Sequence, residues 1–192
     1  MKLQNVIQAL SRRVIRESEE LTRLDQAVGD GDFGTNVERG AQAILQTMDQ
    51  LGDSTSTEQL LMEVAKKLNA AGCGTGGTLI SFGIMAGATQ SQGLGTFLEL
   101  ARSRIQAAGK AQLGEKTLVD ALSPAVEVIK KGGTLEEAAK AAKEGSEKTR
   151  YMIGTKGRSL YSQSRAKGVP DPGAHLVAAL FDEAVRCQRE GE

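Results

Sequence analysis

The sequence predicts an all-α fold, a single domain spanning residues 1–192 with about eight amphipathic helices. Apolar residues recur at steps of three, four and seven along most of the chain, which is the period of one helix face. No stretch alternates β-branched and polar residues as a half-buried strand does. Helix-start signatures complete the pattern. Thr35-Asn36-Val37-Glu38 and Thr134-Leu135-Glu136-Glu137 have the form of capping boxes, and Asp171-Pro172 reads as an N-cap followed by a first-turn proline.

The first helix carries Leu3, Val6, Ile7, Leu10, Val14, Leu21 and Leu24 on one face and is expected to stop just before or at Asp25. A second begins near Asn36, with Val37, Ala41, Ile44, Leu45, Met48 and Leu51 inward. Residues 52–56 read as a turn, and Leu60, Leu61, Val64 and Leu68 mark the third helix. A Gly-rich segment, A-A-G-C-G-T-G-G-T, then opens a fourth helix carrying Leu79, Ile80 and Met85. Phe97, Leu98, Ala101 and Ile105 mark the fifth, and residues 109–114 form a polar connection. The sixth starts at Thr117 and contains Pro124, where a kink or restart is expected because proline lacks the N–H and crowds the preceding turn. The seventh runs from the Thr134 cap to about Ile153, and the eighth from Asp171 with Val177, Leu180, Phe181, Ala184 and Val185 buried.

Composition excludes several functions. Lysine plus arginine number 24 and aspartate plus glutamate also number 24, so a dedicated nucleic-acid binder, which carries a basic excess, is not expected. Four Phe, two Tyr and no Trp leave no base-stacking platform. Cys73 and Cys187 form neither a metal nor a redox spacing, and reduced thiols suit a cytoplasmic protein. Gln4, Arg12 and Arg13 interrupt the apolar N-terminus, so it lacks a signal-peptide core, and no apolar run reaches membrane-spanning length. With His175 the only histidine, nucleophile–histidine schemes are not expected, and that residue is assigned no role.

The chemistry concentrates in D-Q-A-V-G-D-G-D-F-G-T-N, residues 25–36. Asp25, Asp30 and Asp32 fall within eight residues, with Gly29, Gly31 and Gly34 among them. Like charges this close repel unless a cation sits between them. Glycines let the backbone turn so that the side chains converge, and hard oxygen ligands suit magnesium or calcium. An EF-hand is excluded, because the fifth position counted from Asp30 is Gly34 and the invariant glutamate is missing. A helix start beside the acids offers N–H groups to an anion, with metal ions mediating. The bland alternative is a solvated turn. In the Gly-rich segment, Gly72, Gly74 and Gly77 match G-x-G-x-x-G only formally, since a helix rather than a strand precedes them. Close helix packing and an anion cradle remain equally open there. Residues 148–170 hold Lys148, Arg150, Lys156, Arg158, Arg165 and Lys167 without one acid, an anion-attracting excess in which Arg158 is the best phosphate candidate.

Four motifs in register carry a resemblance: G-D-G-D-F-G-T-N, G-E-K-T-L-V-D-A-L (residues 114–122), K-G-R-S-L-Y (156–161) and D-P-G-A (171–174). From about Leu21 to the C-terminus the chain resembles the nucleotide-binding L subunits of dihydroxyacetone kinases. The resemblance implies an antiparallel barrel of eight helices holding ADP or ATP at one end. It implies two magnesium ions on Asp25, Asp30 and Asp32, and nucleotide contacts from Phe33, Gly34, Thr35, Asn36, Gly77, Thr78, Gly114, Ser123, Arg158, Asp171, Pro172 and Gly173. It implies no catalytic side chain in this chain, since phosphoryl transfer rests on positioning and charge neutralisation. The ketose would be held by a separate K subunit. In the phosphoenolpyruvate-driven system a phosphotransferase M subunit would rephosphorylate bound ADP. A homodimer stays open.

Three departures stand out: Phe33 where the family commonly has histidine, G-C-G-T-G-G in place of a G-G-A-S-G-like segment, and R-A-K-G-V-P before D-P-G. The alternatives are a subunit of an ATP-dependent ketose or tetrose kinase, or a non-catalytic nucleotide-binding regulatory module. Fatty-acid kinases are disfavoured by the K-G-R motif and the absence of a following lipid-binding domain.

Overall fold

The computed structural model describes residues 2–51, 55–90, 93–156, 160 and 166–191. Among them are eight α-helices and no strand: α1 (Leu3–Val28), α2 (Phe33–Met48), α3 (Thr57–Ala70), α4 (Gly74–Gln90), α5 (Leu94–Gly109), α6 (Val119–Lys130), α7 (Leu135–Lys148) and α8 (Pro172–Gly191). Each helix packs on its sequence neighbour, and α8 returns to α1, closing a ring. Neighbours run antiparallel. Gly34 of α2 meets Ser18 and Thr22 of α1, while Gln4 near the start of α1 donates to Met48 O at the end of α2. Arg102–Glu127 and Glu99–Lys130 pair α5 with α6 in the same sense. Because direction alternates, α2, α4, α6 and α8 all begin at one end of the ring. That end collects helix N-termini and their positive dipole ends.

The core follows the apolar spacing. Ile7, Ile44, Met48, Leu60 and Val64 pack between α1, α2 and α3. Leu21, Val37 and Leu176 join α1, α2 and α8. The α6–α7–α8 side is lined by Ala121, Ala125, Ala138, Ala142, Ala174 and Ala178, whose small side chains let the helices approach closely.

Local details depart from expectation in four places. α1 continues through Asp25 to Val28. α2 begins at Phe33, not Asn36, and the Thr35–Glu38 capping box does not form. Instead the Thr35 hydroxyl donates to Asp32 O at 3.0 Å, and Glu38 accepts from Gln42 at 3.1 Å. The Asp25 carboxylate already serves the first N–H of α2, so the start lies there. α6 runs unbroken through Pro124. The carbonyl that loses its N–H donor, Asp120 O, faces α7 at Gly145, where a Cβ would lie 2.2 Å from it. α7 ends at Lys148 and gives way to a 3-10 turn, Thr149–Tyr151, short of Ile153. The Thr134–Glu137 capping box forms as the sequence predicts, and a second links Ser56 with Gln59.

Candidate functional site

The acidic stretch lies at the end where the even-numbered helices begin. Asp25 is buried in the last turn of α1, and its Oδ2 accepts the N–H of Phe33 at 3.1 Å. Asp30 and Asp32 are exposed on the connection to α2, where Gly31 takes φ +78°, a conformation glycine adopts without strain. One carboxylate oxygen from each of Asp25, Asp30 and Asp32 lies within 4.8 Å of the others. Burial pushes the Asp25 carboxyl above its ordinary range and the Asp30 and Asp32 charges add to the rise, opposed by the N–H groups of Phe33 and Asp32. Three oxygen donors with no imidazole or thiolate fit a hard divalent cation.

The start of α4 adjoins the start of α2. The Phe33 ring lies over Gly76, whose Cβ would come within 2.6 Å of Cε2, and Asn36 Nδ2 would lie 3.3 Å from a Cβ on Gly74. Arg39 fixes this junction: Nη2 donates to Asn36 Oδ1 at 3.0 Å, and Nη1 donates to Ala71 O and Gly72 O at 3.2 Å each. The two readings of the Gly-rich segment divide by residue. Gly77 is a packing glycine, since a Cβ there would strike Cys73 Cβ at 2.2 Å. Gly74 and Gly76 instead lie against Asn36 and Phe33. Gly34 packs on α1, and Thr78 donates its hydroxyl to Gly74 O at 3.0 Å.

A second group forms around the starts of α6 and α8. Gly114 takes φ +92° in the turn before α6. The buried Asp120 carboxylate accepts the N–H groups of Gly114 and, at 2.8 Å, Thr117. Ser123 is buried one turn further along. Asp171 caps α8 by accepting the Ala174 N–H at 2.8 Å, and Pro172 follows as the first helical residue. Gly173 lets α8 approach Leu118, with a Cβ-to-Cβ distance of 3.1 Å if it carried a side chain. Burial raises the Asp171 carboxyl to about 7, with the Ala174 N–H and the Lys116 charge opposing. Leu176, in the second turn of α8, packs on Leu21 and Val37 beside Phe33, so the two groups share one end of the ring. His175 Nε2 lies 3.1 Å from Glu17 Oε2, an α1–α8 contact.

Arg158 and Arg165 of the basic segment lie outside the described residues. Arg150 pairs with Glu147 at 2.6 Å and donates to Gly168 O at 3.0 Å. Spacing alone missed Lys116, Asp120, Arg39 and Thr149. For Asp120 a signal existed: a carboxylate inside the apolar run L-V-D-A-L stays buried only with dedicated partners. A shallow groove between α7 and α8, about 470 Å³ and lined by Glu136, Lys140, Lys143 and Arg186, brings together no cluster of acids.

An antiparallel ring of helices with an acidic cluster set among helix N-termini defines the class: an all-α domain with three converging carboxylates at one end. Within that class the chain belongs to the DAK2 domain family, whose model matches residues 27–186. It is 32% identical over 183 residues to the Listeria innocua "PEP-dependent dihydroxyacetone kinase 1, ADP-binding subunit DhaL", covering 92% of this chain and 90% of that one. To the Escherichia coli ADP-binding subunit DhaL of the same kind of kinase it is 31% identical, covering 91% of this chain and 90% of the relative. The fold matches the crystal structure of the C. freundii dihydroxyacetone kinase in complex with AMP-PNP and Mg2+, with TM-score 0.81 and 24% identity. That match covers 96% of this chain and 33% of the longer one.

Proposed function

We propose that this chain, throughout residues 1–192, is the ADP-binding subunit of a phosphoenolpyruvate-dependent dihydroxyacetone kinase. It delivers a phosphoryl group to a ketose held by a K subunit and is recharged by a phosphotransferase M subunit. The observation that carries the reading is the convergence of Asp25, Asp30 and Asp32 within 4.8 Å beside the first turn of α2. The near full-length likeness to two ADP-binding DhaL subunits supports it.

On this reading Asp25, Asp30 and Asp32 hold two magnesium ions. Bound there, magnesium neutralises charge on the nucleotide's phosphate oxygens and orients them for in-line transfer. Phe33, Gly34, Thr35 and Asn36 in the first turn of α2 and Gly77 and Thr78 in that of α4 contact the nucleotide, although the N–H groups of Phe33, Asn36 and Gly77 are already held by Asp25 Oδ2, Asp32 O and Cys73 O. Gly114, Ser123 and the Asp171-Pro172-Gly173 start of α8 receive the rest of the nucleotide, and Arg158 adds a guanidinium. No side chain of this chain takes up a proton from the ketose, so the base belongs to the partner. Two buried free thiols suit a cytoplasmic location.

Calorimetry with ADP tests the reading: binding is expected with magnesium and lost without it, and Asp30→Asn is expected to abolish it. Ketose phosphate formed on reconstitution with a K subunit, an M subunit and phosphoenolpyruvate completes the case. ADP binding that ignores both magnesium and Asp30 overturns it.

A further inference from the structure

We propose that Lys116 is a positioning residue for the nucleotide site, its buried ammonium holding the Gly114 turn against the first turn of α8. The inference rests on the functional reading above, which gives Gly114 and Asp171-Pro172-Gly173 to the nucleotide but Lys116 no part.

Lys116 is 1% exposed and takes φ +59°. Both facts are unfavourable. A buried ammonium loses its hydration, and an L-residue in the left-handed region crowds its own backbone, which glycine would not. Neither is needed to close a helical ring, since an apolar side chain could fill the same space. What an ammonium alone provides is several donors on one tether. Nζ donates to Thr149 O at 2.5 Å and to Val169 O at 2.6 Å. Those carbonyls lie just after α7 and just before α8.

The surrounding bonds complete a hub. Thr149 Oγ1 accepts the Asp171 N–H at 2.8 Å, so the residue that caps α8 hangs from the residue Lys116 grips. Arg150 and Gly168 exchange two further bonds, Gly168 N–H to Arg150 O and Arg150 Nη1 to Gly168 O, both 3.0 Å. On the other side of Lys116, Asp120 ties down Gly114 and Thr117. The charges near the ammonium are Asp171 and Asp120, with Arg150 opposing. Lys116 therefore fixes the spacing between two segments that meet the nucleotide but share no helix.

Lys116→Met keeps the side chain's length and removes every donor. Val126→Ala, buried in the far half of α6, is the control for stability loss alone. By calorimetry with magnesium, Lys116→Met is expected to weaken ADP tenfold or more, while Val126→Ala stays within twofold of the parent. In the nucleotide-free protein, amide hydrogen exchange of Gly168 and Asp171 is expected to quicken in Lys116→Met and not in Val126→Ala. Parent-like affinity, or parent-like protection of those two amides, in Lys116→Met overturns the inference. Should Lys116→Met not fold, Thr149→Val carries the test, since it removes the acceptor of the Asp171 N–H. A fivefold loss of affinity is expected, and parent-like binding overturns the inference. A parent chain that binds no ADP refutes the functional reading instead, and the exchange data still decide whether Lys116 holds the hub.

Discussion

The Asp25 carboxylate, in the last turn of α1, accepts the backbone N–H of Phe33, the first residue of α2, at 3.1 Å. The acid buried beside two others thus also sets where the next helix begins. Its charge and its acceptor oxygen are separable. Asparagine keeps the acceptor and removes the repulsion from Asp30 and Asp32, so Asp25→Asn is expected to melt at or above the parent without metal. Asp25→Ala also loses the cap, at a cost of about 1 kcal/mol. Both are expected to lose the magnesium-dependent stabilisation by ADP. Thermal melts with and without magnesium and ADP check this, and a nucleotide shift that survives in Asp25→Asn removes that residue from the ligand set.

Two glycines of the site differ in what surrounds them. A Cβ on Gly34 would lie 2.0 Å from Ser18 O and 2.6 Å from Thr22 N, backbone atoms that move only if α1 and α2 separate. Gly34→Ala is expected to cost more than about 3 kcal/mol. A Cβ on Gly76 meets only the edge of the Phe33 ring, which can rotate away. Gly76→Ala also gains helix propensity of up to about 1 kcal/mol, so its net stability change is expected to be small. Urea melts of the two variants separate them, and comparable losses would show that the ring is as rigidly held as the helix backbone.

Legibility followed the range of the interactions. The eight helices were readable because each buries one stripe, and the apolar spacing records that stripe. The caps at Thr134 and Asp171 were readable because donor and acceptor lie three residues apart. The start of α2 was misread because its acceptor, Asp25, comes from the preceding helix, and local pattern instead favours Thr35–Glu38. Of the kink or restart expected at Pro124 the restart does not occur, because Gly145 of another helix leaves room for the displaced carbonyl. In the site, three acids among glycines announced their own convergence. Arg39, Lys116 and Thr149 bond partners 22 or more residues away, such as Thr149 O for Lys116, and spacing along the chain carries no trace of that.

Glu183 fastens the last helix to the first. It is 1% exposed, and its carboxylate takes Arg16 Nη2 at 3.1 Å, Arg186 Nη2 and, at 3.8 Å, Arg13 Nη1. Hydrogen bonds from Arg186 hold this carboxyl below its ordinary range. Removing the acid leaves the guanidinium groups facing one another without a counter-charge. Because those groups reach solvent, the cost falls below that of a fully buried pair. Glu183→Ala is expected to lose about 2 kcal/mol. Chemical denaturation by urea measures it, and a loss below about 0.5 kcal/mol would mean that α8 closes the ring by apolar packing alone.

Asp171 gives the protein an unusual acid-side behaviour. Burial raises its carboxyl to about 7, above the ordinary value of 3.8. Between those values the folded chain binds a proton that the unfolded chain has released, so this group makes stability fall as pH rises from about 4 to about 7. Above that window both states are ionised and its contribution is constant. Below it both are protonated, and its contribution is again constant. The slope from one such group is at most about 1.4 kcal/mol per pH unit. Glu183 has the opposite sign: its depressed value confers stability above 4.5 that is lost as pH falls further. A raw pH profile mixes these with other shifted carboxylates such as Asp25, and the difference between parent and Asp171→Asn isolates the first. Asparagine keeps an oxygen for the Ala174 N–H and carries no charge. The melting temperature of Asp171→Asn relative to the parent is expected to be level below pH 4, to climb through pH 4–7 and to level again above it. A difference that does not change with pH would mean that Asp171 ionises at its ordinary value and that Lys116 fully offsets its burial.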